Sequence, residues 1–205
     1  MTQMVDTEII CIIDSSGSMG SVADDAIGGF NSFVKEQKEL PDSATLTLVT
    51  FDTTVKVIHE GINIKDVPEL DGNTYKVGGM TALYDAIGRT IDETEKRHSA
   101  SAEGRPGKVI VAILTDGHEN SSREYSHKQV LEMIERQKDE CRWEFMFLAA
   151  NQDAFAVSQN MGITHAMNYA HTKVGTRKAA FCMSKAVRSY RCSGKVSGLD
   201  TENEE

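Results

Sequence analysis

No apolar run in this sequence approaches the roughly 18 residues that a membrane-spanning helix requires, so no membrane segment is expected. The opening residues, M-T-Q-M-V-D-T-E, lack the basic and apolar stretches of a signal peptide, and on that basis a cytoplasmic location is expected. Cysteine is sparse, with four in 205 residues, no C-x-x-C and no Cys/His spacing of a zinc site. Cys182 and Cys192 lie in a helical pattern that would separate them by about 15 Å. A disulfide spans Cα atoms only within about 7 Å, so four ordinary thiols are expected.

Common catalytic signatures are missing too. There is no G-x-S-x-G elbow, no phosphate-binding G-x-x-x-x-G-K-[ST] and no G-x-G-x-x-G. A phosphatase of the D-x-D type would need an aspartate where Ser16 stands. The histidines, His59, His98, His118, His127, His165 and His171, contain no H-x-x-x-H pair suited to zinc. Acidic residues are absent from His171 to Leu199, a stretch holding Lys173, Arg177, Lys178, Lys185, Arg188, Arg191 and Lys195. These basic residues are expected to form the solvated face of an amphipathic helix, with a docking surface for an acidic partner as the alternative. The net charge of −9 argues against a general nucleic-acid binder.

What is present is an alternation. The apolar run I-I-C-I-I at residues 9–13 suits a strand covered on both faces. From Val22 the period changes, and Ala26, Ile27, Phe30, Phe33 and Val34 mark a helix with Asp24 and Asp25 in its first turn. T-L-T-L-V-T-F and T-V-K-V-I-H read as a hairpin turning at Asp52 and Thr53. Leu83, Ala86, Ile87 and Ile91 mark a second helix, K-V-I-V-A-I-L a strand, and Val130, Leu131 and Ile134 a third helix beginning near Ser126. W-E-F-M-F-L-A-A and I-T-H-A-M-N are two further strands, and Ala179, Ala180, Met183, Ala186, Val187 and Tyr190 share one face of a last helix. Strands separated by helices imply right-handed crossovers, hence an α/β fold with a mostly parallel sheet of about six strands, one antiparallel edge strand, and helices on both faces. Residues 1–192 are expected to form one domain, and 193–205 an acidic, disordered tail.

Three loops of this arrangement carry oxygen ligands. Asp14, Ser16 and Ser18 follow the first strand in D-S-S-G-S-M-G, Thr81 precedes the second helix in G-G-M-T-A-L-Y-D, and Asp116 follows K-V-I-V-A-I-L-T. Ligands of open parallel sheets bind outside the carboxyl ends of the strands, where strand order reverses. Hard cations such as Mg²⁺ want six oxygens, and neutral hydroxyls hold an ion while leaving it electrophilic. Gly17 is expected to supply the freedom in φ that a chain wrapping an ion needs.

D-S-S-G-S-M resembles the D-x-S-x-S motif of von Willebrand factor type A (vWA) domains, whose metal-ion-dependent adhesion site also uses a distant Thr and Asp. G-G-M-T-A-L-Y-D-A-I and I-L-T-D-G-H-E-N match those positions in order and spacing, and the alternation of elements matches over residues 6 to about 192. The resemblance implies a Rossmann-like, doubly wound fold in which Asp14, Ser16, Ser18, Thr81 and Asp116 bind Mg²⁺, or Mn²⁺ or Ca²⁺. It implies a protein-binding role in which a partner's Glu or Asp completes the coordination, with no catalysis. The form of the motif looks like that of intracellular prokaryotic or phage single-domain members, relatives that often work beside ATPases. His118 and Glu119, next to Asp116, are candidates for partner contact or simple loop residues. The alternative is a Mg²⁺-assisted hydrolase on the same loops with His118 as base.

Overall fold

In the computed structural model, residues 7–100, 105–150 and 153–199 are described. Strand β1 (Thr7–Asp14) is buried along its whole length. A 3-10 turn (Gly17–Val22) leads into helix α1 (Ala23–Lys38), and β2 (Ala44–Phe51) and β3 (Val55–Asn63) follow as a hairpin. The remaining elements are α2 (Leu83–Ala100), β4 (Lys108–Thr115), α3 (His127–Cys141), β5 (Glu144–Ala149), α4 (Ala154–Asn160), β6 (His165–Asn168) and α5 (Lys173–Ser193).

The described strands form one sheet in the order β3-β2-β1-β4-β5-β6, parallel throughout except for the antiparallel edge strand β3. Alternation along β1 divides the core. Ile9, Cys11 and Ile13 pack with α1 and α5 on one face, whereas Ile10 and Ile12 pack with α2, α3 and α4 on the other. Burial pushes the Cys11 thiol up to about 12, so this cysteine is a core residue rather than a reactive one. All four cysteines are free thiols. None of the described helices is long and apolar enough to cross a membrane.

Strand order reverses between β1 and β4. The chain leaves β1 toward β2 on one side and returns to β4 on the other, so the loops after β1 and β4 part at the topological switch point.

Three expectations need correction. Helix α4 was not anticipated from the sequence; Asp153 caps it by accepting from the N–H groups of Phe155 and Ala156. The stretch from residue 193, expected to be disordered, returns along α5 as far as Leu199. Gly194 ends the helix in the left-handed conformation, Leu199 is buried in the core with Val196 packed against it, and Ser189 donates to the Lys195 carbonyl. Residues 200–205 lie outside the described residues. Arg191, counted among the solvated basic residues, is buried and bonded to Gln37 and Asp42, whereas Lys178, Lys185 and Arg188 are exposed as expected.

Candidate metal centre

Asp14 is the last residue of β1, and its side chain is fully buried where the sheet divides. Its Oδ1 accepts from the Ser16 N–H at 2.7 Å and its Oδ2 from the Thr115 hydroxyl at 2.6 Å. Ser16 Oγ lies 3.0 Å from Ser18 Oγ, and Ser18 donates to Asp116 Oδ1 at 2.7 Å. Thr81 joins from the far loop: a Cβ built on Gly117 would stand 3.0 Å from Thr81 Oγ1 and 3.7 Å from Ser18 Oγ. Asp14, Ser16, Ser18, Thr81 and Asp116, separated by up to 102 positions in sequence, thus converge on one point at the carboxyl edge of the sheet.

Backbone hydrogen bonds hold the three loops in register. Ser15 N–H and hydroxyl both donate to the Phe51 carbonyl, Gly17 N–H donates to the Gly79 carbonyl, and Gly78 N–H to the Ser15 carbonyl. Thr81 is bracketed by Asn120, whose N–H donates to the Thr81 carbonyl and whose Oδ1 accepts from the Thr81 N–H. The glycine with the special backbone is not Gly17 but Gly79, at φ +70°, where a side chain would strike Thr53. Gly17 instead opens the 3-10 turn, outside the positive-φ glycines.

Electrostatically the centre turns on Asp14. Burial raises the Asp14 carboxyl above its ordinary range and the Asp116 charge adds to this, against the lowering by hydrogen bonds from Thr115 and Ser16. Among the described residues no basic side chain pairs with Asp14. Burial raises the two nearby phenols as well, with the charges of Asp14 and Asp116 contributing: Tyr75 donates to the Asp14 carbonyl and Tyr169 to the Thr115 carbonyl. Two buried carboxylates with hydroxyl neighbours and neutral phenols suit a bound cation in both charge and donor type. Among the described residues no three His, Cys, Asp or Glu side chains group as a metal site; what converges here is three hydroxyls and two carboxylates, all oxygen donors.

The neighbouring candidates divide. His118 is exposed in the loop after β4. Glu119 is turned inward and engaged within the domain. Its Oε1 accepts from the N–H groups of Ser121 and Ser122, and its Oε2 from the Tyr84 N–H and the Ser122 hydroxyl, so it holds the start of α2 to this loop. Asp85, for the same reason, is structural: it accepts three N–H groups, from Arg123, Glu124 and Tyr125.

Sequence reasoning missed Thr115, Asn120, Tyr75, Tyr169 and His171. Thr115 was findable as the residue between the buried strand and Asp116. His171 was not, because nothing in its local sequence marks it; it arrives from the loop after β6 with Nε2 2.8 Å from Asp116 Oδ2.

No protein-family model matches the chain, and no curated protein matches it. Solved structures do. The PilB minor pilin from Streptococcus sanguinis superposes at a TM-score of 0.66 with 11% identity, over 92% of this chain and 62% of that one. A von Willebrand factor type A protein from Catenulispora acidiphila gives 0.60 with 13% identity, over 88% of this chain and 42% of that one. The vWF domain of the type V pili tip protein Mfa5 from Porphyromonas gingivalis gives 0.61 with 10% identity, over 97% of this chain and 99% of that one. The chain thus spans less than two thirds of the first two proteins and nearly the whole of the third. At these identities the likeness is one of fold, and the fold of this chain is the Rossmann-like α/β fold of von Willebrand factor type A domains.

Proposed function

We propose that this domain is a protein-binding module dependent on a divalent cation held by Asp14, Ser16, Ser18, Thr81 and Asp116. The observation that supports this most is Asp14, a fully buried carboxylate with hydroxyl and amide partners and, among the described residues, no basic one, set among three converging hydroxyls and a second buried carboxylate. Such donors favour Mg²⁺, with Mn²⁺ and Ca²⁺ also suited. When bound, the ion offers a Lewis-acidic position that a Glu or Asp of a partner protein can complete. The chain's own part is to hold the donors: Thr115 orients Asp14, Asn120 clamps Thr81, and Ser18 orients Asp116. With a net charge of −9, the domain repels an acidic partner at long range, so attraction has to be local to this edge of the sheet.

Linkage makes the reading measurable. A cation that binds only the folded state adds RT ln(1 + [L]/Kd), about 2.7 kcal/mol at a hundredfold excess over Kd. Mg²⁺ is expected to raise the melting temperature, and Asp14→Asn, which keeps the shape but removes the charge, to abolish the rise. A melting curve unmoved by millimolar Mg²⁺, Mn²⁺ and Ca²⁺ would overturn the metal reading.

Partner capture should follow the same dependence. Binding is expected to be lost in EDTA and in Asp14→Asn, weakened in Thr81→Ala, and lost when one partner Glu or Asp becomes Gln or Asn. Binding that survives both EDTA and Asp14→Asn would place the interaction on another face. Metal-dependent turnover of a phosphate or ester substrate that is lost in Asp14→Asn would replace binding with catalysis.

A further inference from the structure

Among the neighbours of the site that the D-S-S-G-S, G-G-M-T and T-D-G motifs do not contain, His171 meets a carboxylate of the proposed donor set directly. His171 lies between β6 and α5, with its Nε2 2.8 Å from Asp116 Oδ2, and both atoms are buried. Ser18 engages the other oxygen of the same carboxylate, Oδ1. The Asp116 carboxylate is therefore met at both oxygens, by a hydrogen bond from Ser18 of the proposed donor set on one and by a 2.8 Å contact with the His171 imidazole on the other.

The backbone around His171 is fixed on each side. Before it, the Tyr169 N–H donates to the Ala149 carbonyl and the Tyr169 hydroxyl to the Thr115 carbonyl, one residue from Asp116. After it, Thr172 caps α5 by accepting from the Gly175 N–H at 3.0 Å, and the Thr172 N–H reaches back to the Ala170 carbonyl at 2.7 Å. The first turn of α5 presses so closely on this loop that a Cβ at Gly175 would collide with the Ala170 carbonyl oxygen. One turn further on, Arg177 pairs with Asp25 of α1 at 2.6 Å. His171 thus stands on a built segment whose neighbours grip both Thr115 and Asp116.

We propose that His171 is a positioning residue of the metal centre, holding Asp116 Oδ2 so that Oδ1 stays turned to the hydroxyl donors. This rests on the metal-binding reading above. Carboxylates that ligate metals are themselves held by hydrogen-bonding groups, and removing such a group typically costs about 10- to 100-fold in metal affinity. Because the imidazole meets a different oxygen from the one Ser18 engages, it acts through Asp116 and not as a donor to the ion.

The test is calorimetric titration of Mg²⁺, Mn²⁺ and Co²⁺ into the wild-type chain, His171→Ala and His171→Gln, with each melting temperature also taken in EDTA. His171→Ala is expected to weaken all three ions alike, by about 10- to 100-fold. His171→Gln, whose side-chain amide can offer Asp116 an N–H from the same place, should recover most of that loss, and the melting temperatures of the two variants in EDTA should agree. That recovery separates positioning from a merely structural role. Wild-type affinity in His171→Ala overturns the inference alone, as does a loss that glutamine does not recover. A loss confined to Co²⁺ overturns it in favour of direct nitrogen ligation, since imidazole favours the later transition metals. A wild-type chain that takes up none of the three ions overturns the metal reading itself, and this inference with it.

Discussion

Replacing Glu8 with alanine is expected to cost about 3 kcal/mol of stability, a large share of the 5–15 kcal/mol that holds a typical domain together. Glu8 is buried near the start of β1, at the end of the sheet opposite the metal centre. Its Oε1 accepts from Arg97 at 2.5 Å and from the Thr47 hydroxyl at 2.9 Å, and its Oε2 meets His98 Nε2 at 2.6 Å. His98 is itself buried and packs edge-on against Trp143. Removing the carboxylate leaves a buried imidazole, a guanidinium and a hydroxyl without their acceptor, and breaking a buried pair in this way costs about 3–5 kcal/mol. The lower end applies because the Arg97 side chain keeps 28% of its exposure and can turn to water.

The same residue carries a pH signature. Burial raises the Glu8 carboxyl, but hydrogen bonds from His98 and Arg97 and the Arg97 charge outweigh it, and the group is held below its ordinary value. A depressed folded-state value means that the unfolded chain takes up the proton first, so the contribution is present above an unfolded carboxyl near pH 4.3 and is lost as pH falls through the folded value. The stability gap between wild type and Glu8→Ala, from urea unfolding, should therefore narrow below about pH 4. Asp14 titrates in the opposite sense but is common to both proteins, and it cancels in the difference. A cost below about 1 kcal/mol at pH 7, or a gap that widens in acid, would show that the cluster does not work as a buried pair.

Which features were legible in the sequence follows from how local they are. β1 and β4 are continuous apolar runs because both faces are covered, and such runs are visible without any knowledge of their neighbours. Ser126 announced α3 with a capping box to Gln129, again a signal within a few residues. Helix α4 gave no such signal: A-F-A-V-S-Q-N is two turns long, too short for a helical period to rise above chance, and Phe155 on it is exposed. That Asp14, Ser16, Ser18, Thr81 and Asp116 meet at one edge of the sheet was legible because each motif is local and the topology brings their loops together. Their supports were not, since Asn120 beside Thr81 and His171 beside Asp116 are contacts made only by the folded chain. Glu119 misled for the same reason, as its position suggests the rim of the site while its carboxylate is taken up by Tyr84, Ser121 and Ser122.

Arg191→Ala is expected to destabilise by about 3–5 kcal/mol, while exchanging Lys178, Lys185 and Arg188 for glutamine together should cost about 1 kcal/mol or less. All four side chains belong to one acid-free stretch, and composition treats them alike. Geometry does not. The Arg191 guanidinium is closed off between α5 and the end of α1, donating to the Gln37 carbonyl at 2.7 Å, to the Asp42 carbonyl at 2.9 Å and, through Nε, to Asp42 Oδ2 at 3.0 Å. Truncation leaves a buried helix-end carbonyl and a loop carbonyl without donors, and Asp42 without its counter-charge. Lysine should rescue little, because a single ammonium cannot reproduce a planar fork that serves four acceptors, Gln37 Oε1 being the fourth. On the exposed face, Lys185 sits 4.5 Å from the centre of the Phe181 ring, a cation–π contact worth about 0.5–1 kcal/mol at a solvated site. Lys178 and Arg188 are simply solvated, which is why the triple exchange stays small. Unfolding curves for Arg191→Ala, Arg191→Lys and the triple variant decide the matter. A triple variant as unstable as Arg191→Ala would mean that the basic face of α5 is packed or paired along its length, and an Arg191→Ala within about 1 kcal/mol of wild type would mean that water replaces the guanidinium.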